Sequence, residues 1–392
     1  MAGEFHHGIS VIEVSEGPRY LRDAKTSTIG MVCTADDADP LAFPLNTPVL
    51  IEGDPSIMAQ AGSSGTLARS LDAVFDQGSP MIVAVRVPEE DTPEAQNSAV
   101  IGSYVSGQAT GLQALLQAKA DFGFDPRILG CPGLDTQAVA TELAGIADKL
   151  RGFAYVQCDG ADKADAVAYR ANFSSKRIML LWPQFKGWDT VSSSEDTLDP
   201  VARALGLRAF IDHEQGWHKS LSNVSVNGVT GLSKSVHWDL QNPNTTANYL
   251  NSHEITCLIR EDGYRFWGNR TCSEDPFAAF EVAVRTGDFL RDTIAEAHLW
   301  AIDKPMTRVL VDDIVEGINS KLRELKSAGK IIDGKAWLPK DMNTVTSLSA
   351  GILRIDYDYI FVPPLENLQL TQRINSSYLI EIVSDGGIKV AG

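Results

Sequence analysis

Short apolar segments alternate with amphipathic segments of helical length through much of the first 215 residues. Strands are predicted at 81–87, 127–131, 153–157 and 178–182, and the first of these is continuously apolar, as strands buried on both faces are. Helices are predicted at 163–173 and after Asp135, the expected N-cap of a helix that ends at Gly152. This alternation favours an α/β layer with parallel strands.

The last third of the chain has a different pattern. Asp275 and Pro276 predict the start of a long helix that reaches Ala301, and a second helix is predicted at about 311–328. Three strand-like segments follow, at 331–337, 352–361 and 378–383. This part is therefore expected to form a separate α+β domain with a β tail.

Polar connections and one terminal segment complete the pattern. The polar stretches 88–97 and 191–200 are predicted to be loops. The β-branched segment 9–14 lies between Gly8 and the Gly17-Pro18 pair, which break regular structure. It fits either an N-terminal strand of the protein's own sheet or an arm that reaches another chain.

Composition narrows the range of partners. The 392 residues include 51 acidic and 34 basic side chains, a net charge of −17, which disfavours nucleic acid and anionic lipid as partners. No apolar run has the ~18 residues of a membrane span, and the N-terminus does not resemble a signal peptide. Five scattered cysteines without CxxC spacing fit buried thiols in a reducing compartment, so we expect folding in a cytoplasm.

Candidate chemistry is sparse. The segment 212–218 holds His213 and His218 at a spacing of five, whereas a zinc-binding helix needs four, and Gly216 interrupts it. The sequence has no phosphate-binding loop, dinucleotide fingerprint or GxSxG elbow. We therefore predict no catalytic, cofactor-binding or metal-binding residues.

Two segments suggest binding. Lys321, Arg323 and Lys326, near the end of the second predicted helix, are either cations that suit the helix dipole or a contact for an acidic partner. The segment 262–271, DGYRFWGNRT, places three aromatic residues between arginines and glycines. Alone, it fits a tight turn as well as a pocket.

That segment carries a resemblance. Taken together, the chain resembles the tail sheath proteins of contractile-tailed phages, particularly the P2-like group, and is similar to contractile bacteriocin sheaths. The matching segments are 5–19, 126–136, 215–231, 258–272 and 357–370, and DGYRFWGNRT is the most specific part. The resemblance implies a multidomain α/β and α+β subunit with four parts: an N-terminal β arm (1–20), an outer α/β domain (21–265), an inner tube-facing α+β domain (266–370) and a C-terminal β arm (371–392).

The resemblance also implies a function. Such subunits stack as six-subunit rings in a helical sleeve around the tail tube, and the sleeve contracts to drive the tube through the bacterial envelope and deliver the genome. The implied partners are the subunit itself, the tail tube protein, and the baseplate and tail terminator proteins, with no cofactor. The expected location is the virion tail, after assembly in the cytoplasm of the bacterial host.

The N- and C-terminal arms fit such a sleeve, because an open sheet edge accepts a strand from a neighbouring subunit. Pairing between subunits is expected at Ile9, Val11, Ile12, Val14, Tyr378, Ile380 and Ile382. Lys321, Arg323 and Lys326 are then expected to face an acidic tube. An α/β enzyme and a non-contractile tube or capsid module are the alternatives, and the absence of catalytic motifs and the spread of the matching segments count against them.

Overall fold

The computed structural model describes residues 24–380, apart from residues 106 and 191. Sixteen strands lie in these residues. They are β1 (Ile29–Thr34), β2 (Pro48–Glu52), β3 (Met81–Val87), β4 (Tyr104–Val105), β5 (Gln108–Ala109), β6 (Ile128–Gly130), β7 (Phe153–Gln157), β8 (Ile178–Trp182), β9 (Phe185–Asp189), β10 (Ser194–Leu198), β11 (Ser225–Val226), β12 (Gly231–Leu232), β13 (Ile255–Arg260), β14 (Tyr264–Trp267), β15 (Ile331–Trp337) and β16 (Asp356–Phe361).

The described residues also contain eleven α-helices and five short 3₁₀ helices. The α-helices are α1 (Leu67–Phe75), α2 (Pro93–Ile101), α3 (Gly111–Ala114), α4 (Ala118–Phe122), α5 (Gln137–Leu150), α6 (Lys163–Arg170), α7 (Pro200–Glu214), α8 (Thr246–Asn251), α9 (Glu281–Ala297), α10 (Arg308–Ser327) and α11 (Val345–Ser349). The 3₁₀ helices are Pro55–Gln60, Leu115–Gln117, Pro276–Ala278, Leu299–Ala301 and Ser376–Ile380. None of the helices in this part of the chain is long and apolar enough to cross a membrane.

A nine-stranded sheet organises residues 29–267, in the order β11-β14-β13-β8-β7-β6-β1-β3-β2. The strands from β13 to β3 in this order run parallel, whereas β14, β2 and β11 are antiparallel additions at the two sides. The parallel strands are continuously buried because helices cover both faces. One apolar core includes α1 and α7, and a second, on the other face, includes α3, α5 and residues of α6 and α8.

A smaller unit follows the sheet. The strands β15 and β16 form a separate two-stranded antiparallel sheet that packs on α10. Their core contains Trp217, Phe289, Leu322 and Ile331, and the rings of Trp217 and Phe289 stack with centroids 3.4 Å apart. This unit matches the predicted α+β character of the last third.

The structure confirms most strands of the sequence analysis. The predicted strands 81–87, 153–157, 178–182 and 331–337 have the observed bounds, and the helix predicted at about 311–328 is α10, which ends one residue earlier, at Ser327. The mixed α/β architecture with more than one packed unit is confirmed as well. The predicted domain boundary at 265/266 lies within β14, and the four-part division stays a prediction.

Several local predictions were wrong. Thr136, not Asp135, is the N-cap of α5, because the Asp135 carboxylate accepts a hydrogen bond from the Gln157 N–H of a neighbouring strand. The predicted loop 191–200 contains β10, which pairs with β9, and the polar stretch 88–97 contains the start of α2. The helix predicted from Asp275 is a short 3₁₀ turn followed by α9, which ends at Ala297.

Candidate functional site

The two-stranded sheet of β15 and β16 is open on both sides. Ile331 and Ala336 point into the core with α10, which fixes the inner face of the sheet. Within the described residues, each strand pairs only with the other. Both outer edges therefore present backbone groups that a further strand can pair with.

An extended segment, residues 362–375, leaves this sheet without helix or strand structure. Its apolar side chains Leu365, Leu368, Leu370 and Ile374 are 65–96% exposed. The segment is attached by Glu366, whose carboxylate accepts two hydrogen bonds from Arg270, after the end of β14, at 2.6 and 2.9 Å. Several exposed leucines on an anchored segment are typical of a surface that another chain covers.

More apolar side chains are exposed on the same unit. The connection from α9 to α10 exposes Leu299, Ile302 and Met306, and α10 and α11 expose Val309 and Val345. Exposed apolar residues in single positions are ordinary, but this unit concentrates them. Within the described residues, the unit around α10 is therefore the part best suited to contacts with other chains.

The predicted strand-pairing residues fall into two groups. Ile9, Val11, Ile12, Val14 and Ile382 lie outside the described residues. Tyr378 and Ile380 lie in the 3₁₀ helix Ser376–Ile380, so the start of the predicted strand 378–383 is not extended in the single chain. A strand needs a partner edge, and residues 376–380 pair with no strand among the described residues.

The three predicted tube-contact residues have different environments. Lys321 is only 2% exposed, packs with the core face of α10 and pairs with Glu324 at 2.9 Å. Arg323 and Lys326 are exposed, but each pairs with a carboxylate of this chain: Arg323 with Glu316 at 2.5 Å, and Lys326 with Asp333 at 2.8 Å. Lys321 therefore does not share a surface with the other two.

A layer of ion pairs joins α9 to the large sheet. Glu281, Arg285, Asp288 and Asp292 lie on one face of α9, at helical spacings of three and four. All four are buried. A charged helix face at this depth requires charged partners, because an unpaired buried ion is costly.

Those partners come in part from three arginines that precede adjacent parallel strands. Arg127, Arg151 and Arg177 lie just before β6, β7 and β8, so they emerge at the same edge of the sheet. Arg127 and Arg151 bind Asp292 at 2.7 and 2.5 Å, and Arg177 binds Asp288.

The remaining partners come from α7 and β7. Arg208 and Asp212 of α7 pair with each other at 2.7 Å, and Arg208 lies 3.3 Å from Glu281. Asp212 also pairs with Arg285, and the Tyr155 hydroxyl donates to Glu281. Burial alone would lower the pKa of Arg208, but the charges of Asp212 and Glu281 more than offset it, and this arginine stays protonated.

The helix α9 and its ionic layer also bind the first described residues of the chain. The amide of Ala24 donates to the Thr293 hydroxyl of α9 at 3.2 Å, and Arg285 donates to the Thr26 carbonyl at 3.4 Å. Residues 24–26 are thereby attached to α9. The ionic layer was not predicted from the sequence. The acidic and basic residues at 281, 285, 288 and 292 do lie on one helix face, and this spacing indicates a charged contact.

The geometry offers no catalytic or metal centre around the histidines of segment 212–218. Asp212 belongs to the ionic layer, His213 is exposed, and burial together with the Lys330 charge lowers the pKa of His218. No group of three or more potential metal ligands occurs in the described part of the chain. Asp212 and Trp217 of this segment instead contact α9, through Arg285 and Phe289.

Comparison with known proteins identifies the family of the chain. Three family models match: the phage tail sheath protein central domain at residues 107–272, the phage tail sheath C-terminal domain at 273–375, and the tail sheath protein Gp18 domain III N-terminal region at 26–87.

Two full-length relatives and one solved structure extend the match. The chain is 53% identical to the tail sheath protein of Escherichia phage P2, over 97% of this chain and 98% of that protein. It is 45% identical to the major tail sheath protein of Serratia phage KSP20, over 96% and 97% of the two chains. Its fold is similar to the helical sheath of the anti-feeding prophage in the contracted state, with a TM-score of 0.71, 18% identity and coverage of 94% and 99%. The chain therefore belongs to the tail sheath proteins of contractile phages.

Proposed function

We propose that this chain polymerises as stacked six-subunit rings around a tail tube and that the sleeve contracts to drive the tube through the bacterial envelope. The observation that carries the proposal is the two-stranded sheet of β15 and β16, whose two outer edges are open. A two-stranded sheet is marginal by itself, and further strands would stabilise it. The role is structural and involves no catalysis.

The arms are the proposed source of those strands. The segment 9–14, with Ile9, Val11, Ile12 and Val14, has six residues, and β15 and β16 have seven and six. The segment 378–383, with Tyr378, Ile380 and Ile382, also has six residues, and it follows the segment 362–375 in the sequence. Arms from neighbouring subunits would pair with the open edges through backbone hydrogen bonds.

The tube contact is proposed on α10. Arg323 and Lys326 are exposed and could exchange their intrachain carboxylates for those of an acidic tube, whereas Lys321 would support α10 from within. Reversing the charge of Arg323 and Lys326 should weaken co-sedimentation with the tail tube protein, most strongly at low salt. Arg308→Glu, at the exposed start of the same helix, is the matched control. Equal binding by both variants would remove α10 from the tube interface.

The other expected partners follow from the same assembly. A sleeve with open edges at one end and unused arms at the other needs baseplate and tail terminator proteins to finish it. The proposed location is the virion tail, with assembly in the cytoplasm of the bacterial host.

The arm hypothesis can be tested by electron microscopy. The full chain and a variant without residues 1–17 would be purified and examined for hollow sleeves. Sleeves from the full chain and monomers from the truncated one are the expected result. A second variant, with aspartate at Ile9, Val11, Ile12 and Val14, keeps the arm's length but removes its apolar face. Sleeves from all three proteins would exclude strand donation by this arm.

A further inference from the structure

The segment 262–271, DGYRFWGNRT, contains an arginine whose main chain is held on both sides. After the end of β14, residues 269–271 run antiparallel to residues 279–281, where α9 begins. Two backbone hydrogen bonds join these stretches at 2.9 and 3.0 Å, one before and one after Arg270 in the sequence. The main chain of Arg270 is therefore fixed relative to the start of α9.

The guanidinium group of Arg270 is fixed as well. Its Cζ lies 5.2 Å from the centre of the Phe280 ring, and the ring of Phe280 lies beside the ring of Phe361, with centroids 6.4 Å apart. An arginine that stacks on an aromatic ring keeps its outer edge of N–H groups free to bind a carboxylate. Because Phe361 is the last residue of β16, these N–H groups lie close to the point where the segment 362–375 begins.

Glu366 binds these N–H groups. Its two carboxylate oxygens accept hydrogen bonds from Nε and Nη2 of Arg270 at 2.9 and 2.6 Å, which makes the ion pair bidentate. Exposed leucines lie on either side of Glu366, at Leu365 and Leu368. A bidentate pair fixes direction as well as distance, so it holds the segment 362–375 with these leucines exposed to solvent.

We propose that Arg270 is a positioning residue, which clamps the segment 362–375 through Glu366 and sets the direction in which the C-terminal arm leaves the subunit. This inference rests on the proposed function, in which that arm pairs with a neighbouring subunit. Ordering a chain segment costs conformational entropy, and the clamp orders this segment before the neighbour arrives. The arginine of DGYRFWGNRT thereby favours assembly without itself pairing with the neighbour.

Pulsed electron paramagnetic resonance on the full, unassembled chain tests the clamp. Nitroxides at Lys149→Cys on α5 and Thr371→Cys on the segment report the separation of two exposed positions, and the native cysteines are buried, so the reagent attaches to the introduced ones. A narrow distance distribution is expected for the original chain and a broad one for Glu366→Gln, which loses the charge. Glu274→Gln, an exposed carboxylate close to Arg270 in the sequence, is the matched control and should keep the narrow distribution.

Sleeve formation tests the consequence for assembly. Sedimentation measures the concentration of free chain that remains beside the sleeves. This concentration should rise about two- to fivefold for Glu366→Gln, because the clamp cannot contribute more than a partly exposed ion pair is worth. The difference from the original chain should shrink at high salt, which screens the pair. A role of Glu366 in packing alone would give no such dependence on salt.

A second variant does not depend on Glu366. Arg270→Lys keeps the positive charge but replaces the planar fork by a single ammonium group, so its distance distribution should also broaden. A broad distribution for the original chain, or equally narrow distributions for the original chain and both variants, would overturn the clamp.

Broad distributions for both variants with an unchanged concentration of free chain would overturn the role in assembly. Because the distances are measured on unassembled chains, they decide on the clamp whether or not sleeves form. Failure of the original chain to form sleeves would instead contradict the proposed function.

Discussion

Replacing Glu281 by glutamine should destabilise the chain far more than the same change at Glu316. Glu281 is fully buried and faces two arginines, with Arg208 at 3.3 Å and Arg285 at 3.6 Å. Glutamine has the same shape but no charge, so the two guanidinium groups would share only Asp212 in the same buried space. Breaking a buried ion pair in this way costs roughly 3–5 kcal/mol.

The control pair has the same chemistry at the surface. Glu316 binds Arg323 at 2.5 Å, but both side chains are about 60% exposed. Water and salt screen such a pair, and its loss costs about 0–1 kcal/mol. Because glutamine at position 281 can still accept the Tyr155 hydrogen bond, we expect the lower end of the buried range, about 3 kcal/mol.

Denaturant unfolding of the unassembled chain measures the difference in unfolding free energy between the two variants. The original chain, Glu281→Gln and Glu316→Gln would be unfolded in urea at pH 7 and low protein concentration, with tryptophan fluorescence as the signal. Trp217 stacks on Phe289 of α9, so its emission reports on the contact between α9 and the segment that follows α7. A loss for Glu281→Gln that is no larger than the loss for Glu316→Gln would refute the view that the ionic layer holds α9 on the sheet.

Three further outcomes are expected. Leu370→Asp with Ile374→Asp should reduce sleeve formation in electron micrographs without changing the unfolding midpoint, because both side chains are exposed; Gln369→Asp is the control. The unfolding free energy of the original chain should fall relative to Asp199→Asn as pH rises from 4 to 6, since a raised folded-state pKa favours the protonated native form. The five cysteines are buried, which raises their pKa values, so a thiol reagent should label them only after unfolding.

The parallel sheet could be predicted from the sequence because its strands are apolar on both faces. The segment at β10 gave no such signal, since Ser194–Leu198 is polar and becomes a strand only through pairing with β9. The prediction of Asp135 as the N-cap of α5 was wrong for a similar reason. Its carboxylate accepts a hydrogen bond from the Gln157 N–H, which lies 22 residues away in the sequence. Local rules do not include these long-range partners.

The surface of the unit around α10 could be predicted only in part. The helical phase of Ile318, Lys321, Leu322 and Leu325 already places Lys321 on the buried face of α10, so its pairing with Arg323 and Lys326 as one patch could have been rejected. The conformation of 376–380 could not be predicted, because a strand-forming segment without an edge beside it has no reason to be extended. A cavity beyond the ends of β6, β7 and β8 was also missed, since its residues come from six separate parts of the chain.

Under the proposed pairing, the open two-stranded sheet and the two arms give each subunit four strand contacts with other subunits. Each subunit would accept one strand at the free edge of β15 and one at the free edge of β16, and would donate its own two arms. At every interior position of the sleeve, the number of donated arms then equals the number of free edges. If both arms are donated in the same axial direction, the imbalance is confined to the terminal rings, where one end has empty edges and the other has unused arms. The polymer is therefore polar, and its two ends require chemically different proteins to close them.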